Sequence, residues 1–193
     1  MLVDKKVTLK AHDRVHSDRT LISFSYDHNL DGNNMQQSGW VDGNTLHVTL
    51  RSGGENRETV YPFEGQLYPT GAIGLMPLLK GLAIGRKFSH LVYDGETQTI
   101  SRAEQEILAF EESDLYEGAA YKIKTKLHGQ EVFTWISPEG KPLLEMSLGG
   151  VFIAGLEPET MAKQYLAEAS LNKNEMFLDF SLIRSNLELS HPR

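Results

Sequence analysis

"YPTGAIGLMPLLKGLAIGRKF", Tyr68 to Phe88, runs four glycines and two prolines through an apolar passage. It reads as a membrane span, a phosphate loop or a piece of core, and the choice decides the fold. A spanning helix needs about 20 consecutive apolar residues. Here the charge-free run from Gly65 stops at Lys80 and already contains Gln66 and Thr70. A nucleotide-binding P-loop closes on Gly-Lys-Ser/Thr, whereas Lys80 is followed by Gly81. The dinucleotide fingerprint needs a strand, a glycine turn and a helix inside a parallel sheet, a setting the flanking sequence does not suggest. A short helix remains, from Gly71 to Leu82, interrupted at Pro77 and ended by Gly81 or Gly85. Apolar on all sides, such a helix must be buried or must face a partner. The spacing therefore predicts a helix plugging the open side of a curved sheet, with a partner-facing or lipid-facing surface as the alternative.

The sequence on either side supplies that sheet. "KVTLKAHD" and "RTLISFSYDH" alternate apolar and polar residues at period two, the pattern of half-buried antiparallel strands. In "SGWVDGNTLHVTLRSGGE", Asp42-Gly43 separates two such runs, a hairpin signal. Pro62 marks a strand end or an edge strand in "ETVYPFEGQLYP". From Tyr121 to Leu148, turns at Gly129 and at Pro138-Glu139-Gly140 divide a meander. "SRAEQEILAFEES" has good helix formers and a capping pair in Ser101 and Glu104, yet a long hairpin with "YKIKTKL" gives it a partner, so it reads as strand. "EPETMAKQYLAEASLNK" opens on acids and a proline and places Met161, Tyr165 and Leu166 on one stripe, so it is read as a helix.

These elements amount to a mainly β domain: a strongly curved antiparallel sheet or partial barrel of about eight to ten strands, one apolar helix against its concave side and a second helix near residues 157–170. The composition, 40% hydrophobic and 23% charged over 193 residues, suits one globular domain. It is placed at residues 1–187, with 188–193 read as the start of a linker to a missing downstream domain. The net charge of -7 argues against nucleic acid as a partner. With no cysteine, thiolate nucleophiles, disulfides and thiolate metal sites are excluded. No signal peptide and no transmembrane segment is read in the chain.

Candidate chemistry is sparse. Asp27, Asn29, Asp31 and Gly32 match the first, third, fifth and sixth positions of a calcium loop, but the twelfth, which should be Glu, is Ser38. A polar hairpin loop is the simpler reading of that segment. Seven histidines are scattered without the spacing of a zinc helix, and no Gly-x-Ser-x-Gly elbow occurs. Lys122, Lys124 and Lys126 alternate with Tyr121, Ile123 and Thr125, the wet face of a sheet rather than a platform for bases. No catalytic, cofactor-binding or metal-ligating residue is assigned.

Three passages taken in order carry a resemblance: "YPTGAIGLMPLLKGLAIGRKFSHLVYDGETQTI", "YEGAAYKIKTKLHGQEVFTWISPEGKPLLEMSLGGVFIAGLEPETM" and "LDFSLIRSNLELSHPR". From Arg51 to Arg193 the chain resembles the N-terminal domain that precedes the catalytic domain in bacterial transglutaminase-like proteins, and related envelope domains of unknown function. The papain-like domain with its Cys, His and Asp is not part of this chain, so no catalytic role carries over. The resemblance implies a non-catalytic accessory or interaction domain in the periplasm or cell envelope, partnered by a downstream transglutaminase-like domain or another protein. The alternative is a half-barrel carrier that binds a lipid or other apolar ligand.

Overall fold

The computed structural model describes residues 7–30 and 32–171. The chain divides into two compact units, Met1–Gly155 and Leu156–Arg193.

The first unit begins with an antiparallel meander of five strands in sequential order: β1 (Val7–Val15), β2 (Leu21–Leu30), β3 (Asn33–Asp42), β4 (Thr45–Ser52) and β5 (Glu55–Pro62). Pro62 ends β5 at the sheet's edge, where a missing N–H costs no ladder bond. Period-two alternation sorts the side chains by face. Phe24 on β2 and Leu46 and Val48 on β4 point inward and are buried. Gly39 on β3 leaves the space that the Phe24 ring occupies; a Cβ there would meet that ring and lie 2.6 Å from the His47 carbonyl oxygen.

A second sheet contains β6 (Leu67–Pro69), β7 (Lys87–Asp94), β8 (Thr99–Glu112), β9 (Ala119–Leu127), β10 (Gln130–Ile136), β11 (Pro142–Ser147) and β12 (Phe152–Gly155). Its order runs β12 to β6 without a crossing, and every pair is antiparallel except β6 with β7. Residues 99–112 are strand, as the hairpin argument requires, because pairing with β9 overrides their helix propensity. The two sheets pack through one apolar cluster in which Phe24 and Tyr26 stack while Leu67 and Tyr93 arrive from the second sheet.

The Tyr68 to Phe88 passage is the connection between β6 and β7. It forms a 3-10 turn, Thr70–Leu75, and a short helix α1 (Met76–Lys80), with Pro77 in the first turn and Gly81 at φ 99° ending it. Parallel neighbours need a crossover on one face of the sheet, which is why an apolar helix forms here and is pressed onto β7 and β8. This corrects the expectation that the passage lacks a parallel setting: a local strand–helix–strand unit is present inside an otherwise antiparallel sheet. Two sheets with twelve described strands and no closed barrel also replace the single curved sheet of eight to ten strands, because the Phe63–Gln66 link starts a new sheet instead of continuing the meander.

In the second unit the described element is α2 (Glu159–Leu171), with Glu159 in its first turn paired to Lys163 at 2.5 Å. Met161 and Tyr165 are exposed on it. The side chain of Leu166, the third member of the expected stripe, and the linker expected at 188–193 lie outside the described residues. Among the described residues no helix is long and apolar enough to cross a membrane.

Candidate functional site

Three regions concentrate polar or unpartnered groups, and the first lies beneath the crossover. Ile73 and Met76 are buried against Tyr68, Val92 and Ala103, so the space under α1 is filled by side chains. Two polar residues share it. Gln105 donates from Nε2 to the Ile73 carbonyl at 3.2 Å and to Thr125 Oγ1 at 3.1 Å, which fixes the turn to the sheet. His90, 2% exposed, lies edge-on to Tyr68 and parallel to Phe88, and its Nε2 has no partner. Burial pushes the His90 pKa down to about 4, with Lys80 adding to the effect, so the ring is neutral at pH 7. On the outer side of the crossover, Leu75, Leu79 and Ile84 stay exposed. The passage is thus half core and half surface.

A second cluster joins two hairpin loops. Asp94, at the end of β7, accepts hydrogen bonds from the Glu96 N–H at 3.0 Å and the Thr97 hydroxyl at 2.8 Å. His128, in the turn between β9 and β10, brings Nε2 to 3.0 Å from Asp94 Oδ2 and Nδ1 to 3.3 Å from Ser101 Oγ. His128 holds φ at 52°, a left-handed conformation that a non-glycine residue adopts at a cost. Ser, His and Asp are therefore within reach of one another, the arrangement that nucleophilic catalysis uses. Two cavities of the first unit, of about 630 and about 400 Å³, are lined by other residues. The contacts already present describe a clasp between hairpins.

The third region is the outer face of the five-stranded sheet. Cross-strand register places Thr8 beside Asn29, Lys10 beside Asp27, Asp27 beside Gln36 and Asn29 beside Asn34. These side chains, together with His28, line the cavity of about 630 Å³. Gln36 Nε2 donates to Asp27 Oδ1 at 2.8 Å, and the Asn29 amide donates to Asn34. Farther along the same face, Ser25 pairs with Ser38 and Ser23 with Trp40. Trp40, 51% exposed, stacks on His47 of β4 with centroids 4.9 Å apart and rings 7° from parallel. The groove sets the amides of Asn29, Asn34 and Gln36 beside the Thr8 hydroxyl, the Asp27 carboxylate and the Lys10 ammonium, with Trp40 outside its lining. The cavity of about 400 Å³ is different in kind: there Glu106 is bridged by Lys87 at 3.4 Å and Lys124 at 3.7 Å, so its charges satisfy one another.

The calcium pattern falls in the third region and is not built as a loop. Asp27 and Asn29 belong to β2 and are bonded across to β3, while Asp31 lies outside the described residues. Among the described residues no group of three His, Asp or Glu side chains could hold a metal. The sequence reading missed the polar face itself, although the signal was there. At period two, Ser23, Ser25, Asp27 and Asn29 share a face, as do Asn34, Gln36, Ser38 and Trp40. The segment "DHNLDGNNMQQS" reads as loop because Asn and Asp favour turns, yet most of it is strand.

No protein-family model matches this chain, and neither does any curated protein or solved structure.

Proposed function

We propose that this chain is a non-catalytic binding domain, an accessory part of a larger transglutaminase-like bacterial protein at the cell envelope, and that it takes its ligand on the outer face of the five-stranded sheet. The observation that carries this reading is the polar groove of about 630 Å³ beside the exposed Trp40. Side chains held by cross-strand hydrogen bonds form a preorganised surface, which lowers the entropy lost on binding. The sequence likeness supports the accessory role and the envelope setting. A carrier of lipid or other apolar ligand would need an apolar void beneath α1, and Ile73 and Met76 occupy that position.

Cosedimentation with purified bacterial cell-wall sacculi tests the reading. The intact chain is expected to pellet with the sacculi, and the double variant Asp27→Ala, Gln36→Ala to stay in the supernatant. Leu79→Ala, on the exposed side of α1, should pellet normally. Failure of the intact chain to pellet, or equal loss in Leu79→Ala, would overturn it.

A further inference from the structure

The binding-domain reading leaves the chemistry of the ligand open, and the inference that follows rests on that reading. We propose that the ligand is a neutral oligosaccharide lying along β3, with one sugar ring stacked on Trp40 and the hydroxyls of neighbouring units bonded to Asp27, Gln36 and Asn34.

The lining, the net charge and the place of β2 and β3 in the sheet select this ligand class. The lining sets three amides and a threonine hydroxyl around Lys10 and Asp27, cross-strand neighbours of opposite charge, which suits a ligand that is dense in hydroxyl groups and carries no net charge. Each primary amide offers two N–H donors and a carbonyl acceptor, so a single cross-strand bond leaves it able both to donate to and to accept from vicinal hydroxyls. An apolar ligand would strip water from these groups without replacing the lost hydrogen bonds. A polyanion meets a chain whose net charge is -7. An extended peptide would add to a sheet edge, where unpaired backbone groups lie, whereas β2 and β3 are interior strands paired on both sides.

Trp40 supplies what polar groups cannot. A pyranose ring presents a face of C–H bonds, and an indole plane buries that face without requiring hydrogen bonds from it. His47 supports the indole in parallel stacking, so the platform is oriented before a ligand arrives. The ring stays half exposed, so its free face is open to a ligand. Gln36 and Trp40 share a face four residues apart on β3, roughly 13 Å at about 3.3 Å per residue. That span exceeds one sugar ring and calls for a chain of several.

The test is a 1H–15N NMR titration of the intact chain with cellotetraose, chitotetraose and maltotetraose, each to about 10 mM, the range of weak single-site binding. The two indole N–H signals, from Trp40 and Trp135, act as paired reporters. With at least one tetrasaccharide, the Trp40 indole and the backbone amides of Asp27, Gln36 and Ser38 are expected to shift saturably. Trp135 should not move, because its Nε1 donates to Glu111 Oε1 at 2.8 Å in the second sheet. Trp40→Ala should weaken binding about tenfold or more while the Trp135 signal keeps its position, which shows that the fold is intact. Trp40→Phe, retaining a smaller ring, should fall between the two. Saturable shifts confined to the α1 region, or no shift with any of the three sugars, would overturn the inference. If sacculi still pellet the chain in a manner that depends on Asp27 and Gln36, the binding-domain reading survives without the sugar; if they do not, both fall.

Discussion

At β7 and β8 the seven-stranded sheet is covered on both sides, by Ile73 and Met76 of the crossover on one and by Phe24 and its neighbours from the other sheet on the other. In the five-stranded sheet, β2 and β4 bury apolar side chains on one side only, and the other side gives water a face of serines, amides and charged groups with one tryptophan. The difference follows from connection. A parallel pair needs a crossover segment lying over the sheet, whereas an antiparallel meander joined by tight turns supplies nothing to cover its second face. The structure thus has one sheet whose substitution is felt in stability and another with a face whose substitution is felt elsewhere.

The largest way to break this contrast is Met76→Ala. Met76 is 2% exposed beneath the crossover, and truncation should cost about 2–4 kcal/mol of unfolding free energy in a urea titration. A loss below about 0.5 kcal/mol would mean that the crossover is not part of the core. Gly39→Ala probes the inner side of the five-stranded sheet. The added methyl meets the Phe24 ring and the His47 carbonyl, and overpacking of this kind should cost about 2–3 kcal/mol. Gly140→Ala is expected to cost about 1–2 kcal/mol, because φ at 89° disfavours a side chain and the methyl would press on Leu78 of α1; the Leu78→Ala background should recover part of the loss.

A fourth prediction uses acid. His90 titrates near 6.5 in the unfolded chain and near 4 when buried. Below pH 6.5 the unfolded state therefore binds a proton that the folded state does not, so stability declines as pH falls from 6.5 toward 4 and the contribution is intact above that range. His90→Phe should flatten the slope of unfolding free energy against pH in that window, and an unchanged slope would contradict the buried neutral ring. The smallest expected effect on stability is that of Trp40→Ala, within about 0.5 kcal/mol of the parent, although the same change should weaken the proposed sugar binding about tenfold or more. Those two outcomes together would sharpen the distinction between the sheets; a large destabilisation by Trp40→Ala would erase it.

Much of the fold was legible in the chain because period-two alternation survives in nearly every strand. Pro62, Gly129 and Gly81 mark element ends where their backbone preferences require. The division into two sheets was not legible, since the pairing of Leu67–Pro69 with β7 depends on contacts between residues far apart in sequence and on a strand too short to show a period. The polar face was concealed for a different reason. Asn and Asp are abundant there, and local preference assigns them to turns, whereas their hydrogen bonds run across strands. The Asp94, Ser101 and His128 cluster was invisible because its members come from separate strands and loops and meet only after both hairpins have formed.

That clasp has a consequence in time. Each hairpin is closed by local contacts, but the bond from His128 to Asp94 requires the β7–β8 and β9–β10 turns to be in place together, so it forms late. An interaction absent from the transition state slows unfolding without speeding folding. The clasp is expected to act as a kinetic latch on this end of the sheet: Asp94→Asn should show its effect in the unfolding limb of a chevron while the refolding limb stays where it was, and a shift of the refolding limb would show that the contact forms early.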